Sequence, residues 1–142
     1  MKFKLFILVV TLLSATLFLL SSFLLFSEHI CDSSDSLNVS FQVKHIPGRQ
    51  LLGFNADSDK LNFGIVSPGI TARRSTIVRY AFPALTTVTM EGELSSWTII
   101  TPSNFSLQPA GQQEVFFDIT VPAYALGGNY SGKAVFCFQK IK

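Results

Sequence analysis

The sequence is short of the residues from which catalytic and metal sites are usually built. It holds two histidines and two cysteines in 142 residues, whereas a structural zinc site draws on about four convergent ligands. His29 and His45 stand at ligand spacing neither from each other nor from a cysteine. No G-x-S-x-G elbow presents a nucleophile, and no glycine-rich phosphate loop opens a helix. An enzyme is therefore not expected, and no catalytic residue, metal ligand or cofactor is assigned. The polar stretch from Asn55 to Lys60 places oxygen ligands at alternate positions like the start of a calcium loop. It has Lys60 where the turn needs glycine and Val66 where a bidentate glutamate is needed, so it reads as a solvated turn. Charge is also sparse, at 14% of residues. Once Lys2 and Lys4 are set aside, the remaining Lys/Arg and Asp/Glu balance. A neutral body without a basic stripe lacks the electrostatic footprint of a nucleic-acid binder.

Charge is absent altogether from Leu5 to Phe26, a run that is apolar except for Thr11, Ser14, Thr16, Ser21 and Ser22. As a helix it would be about 33 Å long, enough for a hydrocarbon core of about 30 Å. Lys2 and Lys4 precede it, and Glu28, Asp32 and Asp35 follow, which keeps the N-terminus cytoplasmic and the remainder outside. Residues 1–27 are thus expected to be a retained signal anchor, a transmembrane helix that makes the membrane the first partner. The alternatives are a cleaved secretory signal, for which no A-x-A-like site ends the run, and a buried soluble helix. Residues 28–36 are polar and acidic and read as a tether.

From Leu37 the period changes to two. Leu37, Val39, Phe41 and Val43 alternate with Asn38, Ser40, Gln42 and Lys44, the pattern of a half-buried strand. Leu51, Leu52 and Phe54 form a short edge segment, and Leu61 to Ser67 is a strand closed by Pro68-Gly69. Ser75–Phe82 sets Thr76, Val78, Tyr80 and Phe82 against a wetter face carrying Arg79. Ala84–Met90, Ser96–Thr101 and the segment around Phe105 and Leu107 follow. Val115, Phe117, Ile119 and Val121 are the inward face of the next strand, and Tyr130, Gly132, Ala134, Phe136 and Phe138 that of the last. Seven or eight strands separated by Pro/Gly turns over residues 37–142, with no amphipathic helix, predict one all-β domain, an antiparallel sandwich.

The order L-N-F-G-I-V-S-P-G, R-S-T-I-V, S-S-W-T-I-I-T-P-S-N-F-S-L-Q-P-A-G, V-F-F-D-I-T-V-P and G-G-N-Y-S-G-K-A-V, from Leu61 to Phe138, resembles the immunoglobulin-like sandwiches of the PapD, major sperm protein and ASH group. It is also similar to repeats in archaeal and bacterial surface proteins. The resemblance implies an immunoglobulin-like fold and a structural or protein-binding role. The paired basic anchors of the pilin chaperones have no match in this sequence.

Three of the five asparagines open an N-x-S/T sequon, at Asn38, Asn104 and Asn129, and an external domain would offer them as glycosylation sites. Outside the cell Cys31 and Cys137 can pair, remain free or bridge two chains. Cys137 shares parity with Lys133 and Gln139, so it should face outward, where the tether reaches it. The expected function is non-enzymatic: a single-pass surface protein whose sandwich contacts a protein partner or another copy of itself in an envelope or filament assembly. The alternative is a carbohydrate or small-ligand module, with Trp97, Tyr124 and Tyr130 as stacking residues.

Overall fold

The computed structural model describes residues 14, 16, 31–45, 52–53 and 60–141. The chain divides into two compact units, Met1–Ile30 and Cys31–Lys142. In the first, Ser14 and Thr16 are helical and exposed; the remainder of the expected anchor, 1–27, lies outside the described residues. Among the described residues no helix is long and apolar enough to cross a membrane.

The second unit is all-β. Its strands are β1 (Ser33–Val43), β2 (Leu52–Gly53), β3 (Leu61–Val66), β4 (Thr71–Arg79), β5 (Ala84–Gly92), β6 (Thr98–Thr101), β7 (Asn104–Leu107), β8 (Gln112–Thr120) and β9 (Gly128–Lys140). They form a six-stranded sheet in the order β2-β3-β1-β9-β5-β7 and a three-stranded sheet in the order β4-β8-β6. β9 and β8 are the inner strands around which the two sheets are built, and both obey the period-two pattern of their sequences. Ala134, Phe136 and Phe138 on β9 and Val115, Phe117 and Ile119 on β8 are buried, while the residues between them are partly covered or exposed. Phe117 meets Phe136 edge-on at 6.5 Å between ring centroids, joining one sheet to the other through the core.

The described residues hold nine strands where seven or eight were expected, and three features differ from the sequence reading. The sandwich is not wholly antiparallel, because β1 and β3 pair in parallel. β2 pairs antiparallel with β3 on its outer side, so β2 runs opposite to both β3 and β1. Side-chain alternation reports which face is buried and carries no information on strand direction. β3 also departs from strict alternation: Leu61, Phe63 and Val66 are all buried. A register shift opposite Ser40–Gln42 absorbs the extra residue, and Gly64 supplies the φ of 69° there. Its N–H donates to Asn62 Oδ1 at 2.9 Å.

The second difference is at the N-terminal side of the domain. Ser33–Ser36, read as part of a tether, are the first four residues of β1 and pair with Val135–Phe138 of β9. All four are exposed, so the backbone ladder rather than burial holds them, and an apolar pattern cannot reveal them. The Asp32 N–H donates to the Phe138 carbonyl at 3.0 Å, and the Lys140 N–H donates to Asp32 Oδ2 at 2.7 Å. Phe82, expected to point inward, is 54% exposed because β4 ends at Arg79; its ring lies under Lys140 Nζ, 4.8 Å from the centroid.

Close approach of β5 and β9 requires Gly132. A Cβ there would stand 2.9 Å from the Glu91 carbonyl oxygen and 3.2 Å from Leu94 Cβ, and Leu94 is completely buried. Gly132→Ala is expected to lower stability by about 1–3 kcal/mol through overpacking. Urea unfolding measures it; an unchanged midpoint would contradict the packing described.

Candidate functional site

The sequence-derived candidates fall into three places. Cys31 and Cys137 are joined in a disulfide within one chain, across 106 residues. Cys137 is on β9, opposite Ser34 of β1 and Thr87 of β5, on the outward face that its parity predicts. Asn38 on β1, Asn104 on β7 and Asn129 on β9 are all exposed. The buried residues of each strand are the alternate ones, Val39, Leu107 and Ala134 among them, so all three asparagines project from the outer face of the six-stranded sheet.

The aromatic residues proposed to stack a ligand do not form a common platform. Trp97 and Tyr130 are half-buried, with ring centroids 4.9 Å apart. Tyr130 also stacks on Phe41 at 5.6 Å, and its hydroxyl donates to the Leu126 carbonyl at 2.9 Å. These rings close one end of the core. Tyr124, at 83% exposure, is free of that cluster. A shallow groove of about 430 Å³ crosses β3, β1 and β9, lined by Ser40, Gln42, Asn62, Asn129 and Ser131 together with Tyr130. Its polar lining was not legible beforehand, because it needs the parallel β1–β3 pairing.

His45 Nε2 lies 2.9 Å from the Ala125 carbonyl oxygen, which makes it a loop contact; His29 and the segment 55–59 lie outside the described residues. Among the described residues no group of three or more His, Cys, Asp and Glu is placed to hold a metal ion.

The feature that sequence reasoning could not locate is the β4 edge of the small sheet. β4 is nine residues long and, among the described strands, is paired only with β8. An edge strand of that length offers a row of backbone groups for pairing with another chain. Its outward side chains form a cross-strand ladder with β8. Arg73 grips Asp118 with two bonds, Nε to Oδ1 at 2.6 Å and Nη2 to Oδ2 at 2.7 Å. Ser75 Oγ donates to Glu114 Oε1 at 2.6 Å, and Arg79 Nε to Gln112 Oε1 at 3.1 Å. The ladder ties β4 to β8, and Ile77 on β4 and Ile99 on β6 stand on the same outer face at 52% and 66% exposure.

The hydrogen bonds from Arg73 hold the Asp118 carboxyl below its ordinary value, against the opposing effect of partial burial. A depressed carboxylate contributes stability that is complete above its unfolded value and is lost as pH falls through the folded one. Asp118→Asn is therefore expected to lower stability modestly at neutral pH, where the contribution is complete, and the two stability curves should converge as pH falls below the usual aspartate range. Because Arg73 is well exposed and such pairs are screened, the effect should shrink in high salt. Urea midpoints measured against pH for the two proteins check this; parallel curves would contradict it.

No protein-family model matches the chain, and no curated protein or solved structure shows significant similarity to it.

Proposed function

We propose that this chain is a single-pass, membrane-anchored surface protein whose β-sandwich, immunoglobulin-like and resembling the PapD, major sperm protein and ASH group, makes protein–protein contacts in an envelope or filament assembly. The observation that carries the contact role is the nine-residue β4 edge, tied by its side-chain ladder to β8 and carrying exposed Ile77 on the outer face of the same strand. A partner strand adding to β4 would gain main-chain hydrogen bonds, and the outward side chains would set which partner fits.

Two further points support placing the domain outside the cytoplasm. The chain closes a disulfide, a bond that persists in oxidising compartments. The uncharged run from Leu5 to Phe26 is long enough to span a bilayer, with cations on the side expected to stay in. The ligand-binding alternative has less support, since Trp97 and Tyr130 are packed against each other and Phe41 rather than presented side by side to solvent.

In-cell crosslinking followed by mass spectrometry of the membrane fraction tests the reading. Recovery of this chain in that fraction, joined to another protein or to a second copy, is the expected result. Recovery without any protein adduct, in cells where known complexes crosslink, would contradict it.

A further inference from the structure

The three sequons lie far apart in sequence and come from three different strands, yet the topology brings them to one surface. β1, β9, β5 and β7 are consecutive neighbours, with β3 and β2 completing the sheet beyond β1. Register places the asparagines along it in order. Asn129 is opposite Gln42 of β1. Asn38 is four residues from Gln42 along β1, opposite Lys133. Asn104 is opposite Thr87, whose partner Cys137 is four residues further along β9 than Lys133. At about 3.3 Å per residue the three are spaced at intervals of about 13 Å along the strand direction. They run from one end of the face to the other. The outer face of the three-stranded sheet carries no sequon.

The local chemistry suits modification. In each case the hydroxyl residue two positions on, Ser40, Ser106 or Ser131, is on the same face as its asparagine. The side chains of Asn38 and Asn129 make no hydrogen bond with other described residues. Asn104 uses its Oδ1 to accept from Thr87 Oγ1 at 2.8 Å, while its Nδ2, the atom that would be linked, has only a 3.5 Å contact with Ser103 Oγ. The outward side chains around the three sites include Thr89, Glu91 and Lys133, with Val135 half-buried among them.

We propose that the outer face of the six-stranded sheet is a glycan-bearing face, with N-linked oligosaccharides at Asn38, Asn104 and Asn129. The co-reactant is an oligosaccharide carried on a lipid phosphate, delivered by a transferase of the host cell. The asparagine carboxamide nitrogen attacks the anomeric carbon, a C–N bond forms, and the C–O bond to phosphate breaks. The lipid phosphate leaves with the bonding electrons, and the amide gives up one proton to the transferase. Sugar over this face would also fill the groove beside Asn129 and leave the β4-β8-β6 side open, so the inference rests on the surface placement proposed above and assigns the contacts to the other sheet.

The full chain, expressed in cells with an active oligosaccharyltransferase, provides the test through its gel mobility and intact mass with and without an N-glycan-releasing enzyme. Two or three discrete glycan steps are expected, one lost with Asn38→Gln, Asn104→Gln or Asn129→Gln wherever that sequon is occupied, and none is expected in the triple variant. Fewer than two steps, on a chain whose Cys31–Cys137 bridge has closed and which external protease reaches in intact cells, would overturn the glycan face while leaving the surface reading standing. A chain that external protease does not reach, and that carries no glycan, would overturn both.

Discussion

Replacing Cys31 and Cys137 together by serine is expected to lower the stability of the domain by about 4–5 kcal/mol. The bridge joins residues 106 apart, and the chain-entropy relation gives about 4.7 kcal/mol for a loop of about 100 residues. Against a net stability of about 5–15 kcal/mol for an ordinary domain, that loss is about a quarter or more of the whole. The folded side of the balance points the same way. The first residues of β1 are exposed and held by ladder hydrogen bonds to β9, so without the bridge Ser33–Ser36 should fray before the remainder. Urea unfolding of the double variant, and of the native chain with and without reductant, measures the global term. Hydrogen exchange reads the local one, with protection lost first over residues 33–36. Equal urea midpoints for native and variant chains would contradict the role given to the bridge.

Phe117→Ala should cost a similar amount, about 3–5 kcal/mol, by a different route. Phe117 is wholly buried on the central strand of the small sheet and meets Phe136 of the other sheet. Truncation removes its transfer free energy, leaves a cavity between the sheets and loses an edge-to-face ring pair. Its neighbour Phe116 provides the contrast, because it points out of the same strand and lies beneath the Arg73 guanidinium, 5.5 Å from the ring centroid. Phe116→Ala should cost about 0.5–1 kcal/mol, the scale of an exposed cation–π contact. Two adjacent phenylalanines with a several-fold difference in effect would reflect the inward and outward faces of β8. Equal losses would contradict that assignment.

Much of the fold was written in the period-two pattern. The inward sets on β1, β8 and β9 follow directly from alternation, because a strand with one buried face must place its apolar residues two apart. What alternation cannot carry is the neighbour and direction of each strand. The parallel β1–β3 pair, the bulge at Gly64 and the recruitment of Ser33–Ser36 into β1 all depend on backbone pairing, and none leaves an apolar signature. The same limit applied to the surface. Parity showed that Asn38 and Cys137 face outward, yet only the sheet order places Asn38, Asn104 and Asn129 on one face and leaves β4 at an edge. Trp97 was readable as either a core or a stacking residue, and its contacts with Phe41 and Tyr130 make it part of the core wall.

The edge of the small sheet and the sequon-bearing face make opposite demands on a partner. An edge strand invites main-chain pairing, whereas a surface covered in hydrated sugar resists close protein contact. An arrangement that separates the two would orient a displayed domain toward its neighbours by one side only.

Photo-crosslinking in intact cells, with a benzophenone amino acid placed in turn at Ile77 on β4 and at Thr89 on the outer face of the six-stranded sheet, tests this account most directly. It predicts a discrete protein adduct from Ile77 and none from Thr89. Adducts from Thr89 alone, or none from Ile77 where a known membrane complex crosslinks in the same cells, would contradict it.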